Sequence, residues 1–218
     1  MNLVLNKKPT PIDLVVFDCD GVLLESMAAK ITAFEQWVPA AHAAHRGAFM
    51  QAVMGGFGRA RTHHIRHFYE DILGQEVSDD LLEREVARFT EICEPLCAAA
   101  DWRVGSKAFV EACRDAGIPR YVLSGTPQAP LEAMLESTGA ATYFDVIIGS
   151  PPAKPESLAQ ILAQTGVSAQ RTVFIGDAEA DRAAAEANGV HFVYFPSEAD
   201  RPIGPLDTVV NDLQELLP

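Results

Sequence analysis

The 218-residue chain has four cysteines, and none of them forms a C-x-x-C pair or any paired spacing of metal-ligand type. That excludes a disulfide-stapled scaffold and a zinc ribbon, and Cys19, Cys93, Cys97 and Cys113 read as reduced core thiols. Hydrophobic runs are short. Lys7 and Lys8 precede the first strand without an apolar stretch of signal-peptide length, and no later run approaches a membrane span, so the expected location is cytoplasmic. Positive charge is also scarce: 17 Lys and Arg against 30 Asp and Glu give a formal net charge of -13. Such a balance argues against nucleic acid and anionic membrane as partners. An anionic substrate stays open, because a metal and a few local cations can reverse the field inside one pocket. There is no internal repeat and no low-complexity tract. What remains is ordinary globular composition, 48% hydrophobic and 22% charged, at a length that suits one medium domain carrying a smaller insertion.

The chain is organised around Ile12–Glu25, IDLVVFDCDGVLLE. Leu14–Phe17 is apolar throughout, as in a strand buried on both faces of a parallel sheet. It runs into Asp18-Cys19-Asp20-Gly21, two carboxylates at i and i+2 where the backbone leaves the sheet. Ligands of open α/β sheets bind at the carboxyl ends of strands. Carboxylates converging there call for a hard cation, and Mg²⁺ suits one or two carboxylates plus phosphate oxygens. Asp and Gly are also common turn residues, so the segment alone carries moderate weight. Cys19, between the two acids, is expected to face away from them.

Met1–Pro11 reads as a loosely held lead-in. From Ser26 to about Ala100, helical spacing replaces strand signals: Met27–Val38 stopped by Pro39, Ala40–Val53, Arg61–Leu73, and Asp79–Glu94 with Ser78 or Asp79 as N-cap. After it come a helix over Gly105–Gly117, strand Tyr121–Ser124 breaking at Gly125, helix Pro130–Thr138 and strand Val146–Ile148. Helix Glu156–Gln164, strand Thr172–Ile175, helix Ala180–Asn188, strand Val190–Phe195 and a weaker strand at Thr208–Val210 complete the series. Alternation of strand and helix implies right-handed crossovers and a doubly wound parallel sheet. The expected division is an α/β core over 1–24 and 101–218, interrupted by an all-helical block over 25–100.

Three further strand ends carry polar groups. Leu123-Ser124-Gly125-Thr126-Pro127 sets a hydroxyl and backbone N–H groups where phosphate oxygens bind, although an ordinary N-cap reads the same way. Lys154 is fixed between Pro152 and Pro155 in a chain poor in lysine. Phe174-Ile175-Gly176-Asp177 ends a strand on an acid, with Asp181 one helical turn on, placed to support a cation shared by Asp18 and Asp177. N-cap acids explain one aspartate but not acids, a hydroxyl and a lysine at successive strand ends.

FDCDGVLLES, LSGTP, AKPES and IGDAEAD, in this order, resemble the four motifs of the haloacid dehalogenase-like hydrolase superfamily. The helical block after the first motif resembles the cap of the phosphoglycolate phosphatase and β-phosphoglucomutase type. The resemblance runs from Ile12 to about Phe195. It implies a Rossmann-like core and a Mg²⁺-dependent phosphatase acting on a small phosphorylated metabolite through an aspartyl-phosphate. It makes Asp18 the nucleophile and Asp20 the acid and base, the latter also giving its backbone carbonyl to the metal. Ser124, Gly125 and Lys154 would bind the phosphoryl group; Asp177 would coordinate Mg²⁺ and Asp181 would support it. Asp20 must be protonated when the leaving group departs, which implies a pKa above that of Asp18. The alternatives are a phosphoryl mutase and a non-catalytic receiver-like phospho-acceptor. Against the mutase, Lys30 stands where that type has a histidine; against the receiver stand Asp20 and the helical insertion.

Specificity is expected in the cap. The glycine-rich turn Met54–Arg61 places Arg59 or Arg61 to pair with a substrate anion, against the plainer reading of a flexible linker with a solvated basic face. His63 and His67, at i and i+4, form a helix face more plausibly than a metal pair. Glu25 reads as a hinge-side surface acid, and Trp37 and Trp102 as packing residues. The substrate and the oligomeric state are not encoded in any motif.

Overall fold

The first eleven residues form a hairpin rather than a loose lead-in. In the computed structural model, which describes residues 1–197, 204, 206 and 208–218, β1 (Asn2–Leu5) pairs antiparallel with β2 (Lys8–Pro11). Asn6 and Lys7 both take positive φ, 47° and 61°, the left-handed pair that a two-residue turn needs. Leu3 and Leu5 are buried, which ties the hairpin to the rest of the molecule. Pro9 and Pro11 hid it in the sequence; β2 accepts them because it pairs on one side only.

β3 (Leu14–Phe17) is central in a six-stranded parallel sheet. Beyond the helical block, α5 (Ser106–Asp115), β4 (Arg120–Pro127), α6 (Gln128–Ser137), β5 (Val146–Ser150) and α7 (Lys154–Thr165) follow. The chain ends with β6 (Thr172–Gly176), α8 (Glu179–Asn188), β7 (His191–Tyr194), β8 (Thr208–Val209) and a short 3₁₀ turn, Leu213–Leu216. The strand order is β5-β4-β3-β6-β7-β8. Leu14 and Val16 face Leu158 and Ile161 of α7 and Ala184 and Ala185 of α8. Val15 and Phe17 face the opposite layer, with Phe109 of α5 and Leu131 of α6. This period of two, apolar on both faces, is why β3 reads as an unbroken hydrophobic run. The chain adds strands outward through β4 and β5, then returns by α7 to β6 on the other side of β3. The reversal opens a crevice at the carboxyl rim.

Between β3 and α5 the helices are α1 (Met27–Trp37), α2 (Arg46–Gly55), α3 (Arg61–His67) and α4 (Asp79–Cys97). They enclose an aromatic core in which Trp37 meets Phe49 and Phe68, and Phe34 meets Phe89. Ser78 caps α4, its hydroxyl accepting the Leu81 N–H at 3.3 Å. Two expected single helices are divided. Ala40–Val53 begins as a 3₁₀ turn, Ala40–His45, bent at His42, and Arg61–Leu73 passes into a π-turn at Phe68–Ile72. Apolar spacing marks which face is buried but not a change of helical winding.

The two linkers to this block lie side by side. Glu25 N–H donates to Asp101 O at 2.9 Å, Arg103 N–H donates to Leu23 O at 2.8 Å, and Leu24 bridges Trp102 antiparallel. Arg103 stacks on Phe195 and donates to the carbonyls of Gly21 and Pro196. Among the described residues, no helix is long and apolar enough to cross a membrane.

Candidate active site

Four strand ends deliver the polar groups to one place. Asp18 follows β3 directly, and its N–H continues the ladder to Ile175 O of β6 at 2.9 Å. Asp177 follows β6, while Lys154 opens α7 just past β5. Lys154 Nζ lies 2.7 Å from Asp18 Oδ1 and 2.6 Å from Asp181 Oδ1. The other oxygen of Asp181 accepts the N–H groups of Asp177 and Ala178, at 3.3 and 3.1 Å. Asp181 is thus held from both sides at the start of α8. Asp177 accepts a hydrogen bond from the Ser197 hydroxyl. At Gly21 the chain turns away with φ of 76°, and a side chain there would run into the Asp177 carboxylate.

Carboxylate oxygens of Asp18, Asp177 and Asp181 lie within 4.8 Å of one another, and all three residues are buried. One lysine faces three carboxylates, so the cluster is short of positive charge. Burial, against the opposing charge of Lys154 and helped by the Asp181 and Asp20 charges, pushes Asp18 up to about 7; burial, then Asp18 and Asp181, push Asp177 well above the usual range. Burial opposes the charge on Lys154, but Asp18 and Asp181 overcome it and raise its proton affinity. A buried, all-oxygen cluster of surplus negative charge fits a hard divalent cation.

Asp20 is directed elsewhere. Its carboxylate accepts from Ser26 Oγ at 2.5 Å, from Lys30 Nζ, and from Thr126 Oγ1 at 3.3 Å, so the side chain stands outside the three-acid cluster. Burial alone would raise its pKa; the Lys30 charge and the hydrogen bonds from Lys30 and Ser26 bring it below the ordinary value. The expected order of proton affinities is therefore reversed in the free protein, where Asp20 is the stronger acid and Asp18 the weaker. Lys30, on α1, also donates to Thr126 Oγ1 at 2.6 Å and so ties the helical block to β4.

Ser124 and Gly125 line the same cavity as Asp18 and Asp177. β4 does not stop at Gly125: it shifts register between Leu123 and Pro127 and continues to Pro127. Ser124 Oγ accepts the Thr126 N–H at 3.1 Å within this irregular stretch and does not cap the following helix. The turn before α3 closes the cavity from above, for a Cβ on Gly125 would fall 2.7 Å from the Gly58 carbonyl oxygen. Arg59 lines the cavity, but its side chain is exposed and its Nη1 sits 3.0 Å from the His63 ring. Arg61 is the buried arginine of the pair. His67 bonds Asp71 at 2.7 Å, so His63 and His67 engage separate partners. Sequence reasoning missed Lys30, Thr126 and Ser197 as site groups. Thr126 lies inside a motif and Lys30 one turn into α1, but nothing in the spacing shows that both reach Asp20.

A family model described as haloacid dehalogenase-like hydrolase matches residues 12–189. A phosphoglycolate phosphatase of Rhodospirillum rubrum is 30% identical over 199 residues, covering 82% of this chain and 77% of that protein. The GMP/IMP nucleotidase YrfG of Escherichia coli is 26% identical, covering 95% of both. Among solved structures, CbbY from Rhodobacter sphaeroides in complex with phosphate superposes with a TM-score of 0.75 at 19% identity, covering 94% of this chain and 96% of that one.

Proposed function

The chain belongs to the haloacid dehalogenase-like hydrolase family and is a phosphatase, and on that premise we propose that it hydrolyses a small phosphorylated metabolite with Mg²⁺ at the Asp18 cluster. The observation that carries this reading is Lys154 bridging Asp18 and Asp181 while Asp177 shares the same gap.

Asp18 attacks phosphorus through a carboxylate oxygen, the bond from phosphorus to the ester oxygen breaks, and an aspartyl-phosphate forms. Asp20 delivers its proton to the departing oxygen. It then takes a proton from water as that water attacks phosphorus, which frees phosphate and restores Asp18. Lys154 and Ser124 hold the phosphoryl oxygens. Asp18, Asp177 and the backbone carbonyl of Asp20 would hold Mg²⁺, with Asp181 fixing the Asp177 turn. When bound, the cation offsets the repulsion between a carboxylate nucleophile and a phosphate dianion. Asp20 rests deprotonated against Lys30; two incoming negative charges raise its proton affinity, so it gains its proton with the substrate present. The helical block, residues 25–100, serves as the cap that excludes bulk water. Support for its lying over the chemistry comes from Gly58 and Phe57, which line the cavity with Asp18.

The test is p-nitrophenyl phosphate turnover with Mg²⁺, with EDTA, and by Asp18→Asn. Turnover should need the metal and fall by roughly a thousandfold or more in the variant, as when a nucleophile is removed elsewhere. Wild-type rates from Asp18→Asn would overturn the assignment.

A further inference from the structure

Two sulfurs face one cleft at the seam between the helical block and the core. Cys93 and Cys97 stand at i and i+4 near the end of α4, with their Sγ atoms 3.6 Å apart. Both line a cavity of about 410 Å³ between α4 and α6. Glu94, Ala133 and Ser137 in its lining are exposed, so the cleft opens to solvent, while Lys30 and Arg61 lie on its inner side. The phosphatase chemistry uses neither thiol.

The two sulfurs are unequal. The hydrogen bond from Cys97, with the Lys30 and Arg61 charges, outweighs burial and brings the Cys93 thiol down to about 7. The same bond, then burial, raises Cys97. Cys93 is therefore the nucleophile of the pair, and Cys97 carries the proton between them.

Helical spacing determines what the pair can bond. Cβ atoms four residues apart on a helix are separated by about 5–6 Å, whereas a disulfide draws them to about 3.5–4.5 Å. Direct closure would unwind the last turn of α4. An atom inserted between the sulfurs needs no such movement. Bonds of about 2.3 Å, as in zinc thiolates, at a tetrahedral angle set two sulfurs about 3.8 Å apart. Pro95 stands between the cysteines and removes one N–H from the helix ladder, so this turn can yield the small remaining difference.

The surrounding charge selects the inserted atom. Lys30 and Arg61 repel an incoming dication but not an electrophile that arrives uncharged. Trivalent arsenic is thiophilic, accepts two thiolates and is an uncharged hydroxide near neutral pH. We propose that Cys93 and Cys97 form a dithiol site for trivalent arsenic compounds. Two S–H and two As–O bonds break, two As–S bonds form, and the protons leave with the hydroxides as two waters. No oxidation state changes. The site is independent of the phosphatase reading above.

Phenylarsine oxide, added to the native full chain without small thiols, is the probe. One equivalent should bind, two thiols should vanish from titration with a chromogenic disulfide reagent for each arsenic, and dimercaprol should release it. Cys93→Ser and Cys97→Ser should each weaken retention by about 100-fold or more, the gain of a second linked contact. Cys113→Ser should leave it unchanged, because Cys113 is wholly buried elsewhere. Should a serine variant fail to fold, the thiol loss in the wild type decides. No adduct on the native chain, one thiol lost per arsenic, or undiminished retention by both serine variants overturns the proposal. So does Cd²⁺ retained where phenylarsine oxide is not.

Discussion

Asp18, Asp20 and Asp177 stood out as candidates in the sequence because they follow β3 and β6, where backbone pairing stops, whereas Ser124 lies inside β4 and Lys154 and Asp181 belong to the first turns of α7 and α8. What each one touches was not legible. The Lys30 ammonium reaches Asp20 across the boundary between two layers, and no spacing rule spans the 96 residues between Lys30 and Thr126. Arg59 and Arg61 look alike in a glycine-rich turn, yet the start of α3 turns one outward and buries the other. His64 lies between His63 and His67 in the sequence, and it packs edge-on against Phe34 at 5.2 Å. Burial, then the charges of His63, Arg59 and His67, depress its pKa to about 3, so it folds in as a neutral ring. The unfolded chain binds a proton near pH 6.5 that the folded one refuses. His64 therefore contributes stability above that pH which is lost as pH falls toward 3. Between pH 8 and pH 5 the loss is about 2 kcal/mol from this group. Urea unfolding of His64→Phe at both pH values should show a decline smaller by about that amount; an unchanged difference would place the neutral ring in doubt.

Elements with a strong period were read closely: β3 spans Leu14–Phe17 as expected, and α1, α4 and α8 differ by a few residues at most. The misreadings occur where a local rule points one way and tertiary packing the other. Proline argues against a strand at Lys8–Pro11, but an edge partner in a two-stranded hairpin loses little by lacking an N–H. The hairpin lies outside the stretch that matches the family model, residues 12–189. It still contributes to the core, since Leu3 is wholly buried and β1 packs near Leu213–Leu216. Leu3→Ala should cost about 2–4 kcal/mol in denaturant unfolding, as for other buried leucines, with little change in kcat/KM. A cost under about 0.5 kcal/mol would mean that the hairpin is not docked in solution.

At the scale of the molecule, the doubly wound sheet followed from alternating strand and helix signals, and the helical insertion from their interruption. The relation between the two layers did not, because it depends on a few contacts: Gly58 against Gly125, Lys30 between Asp20 and Thr126, and the paired linkers. Arg59 is exposed at the turn that covers the cavity. If this turn lifts with the cap, trypsin should cut after Arg59 in the free protein, and Mg²⁺ with tungstate as a phosphate mimic should slow that cut several-fold. Equal cleavage with and without the mimic would speak against a moving cap. The linkers determine what kind of movement is available. Two separate strings would let the insertion roll, slide and twist over the crevice. Strapped together from Leu23 to Arg103, they would act as a door hinge with one axis, so that each swing of the block would return Lys30 along the same arc. Little orientational searching is left for the ligand to suppress.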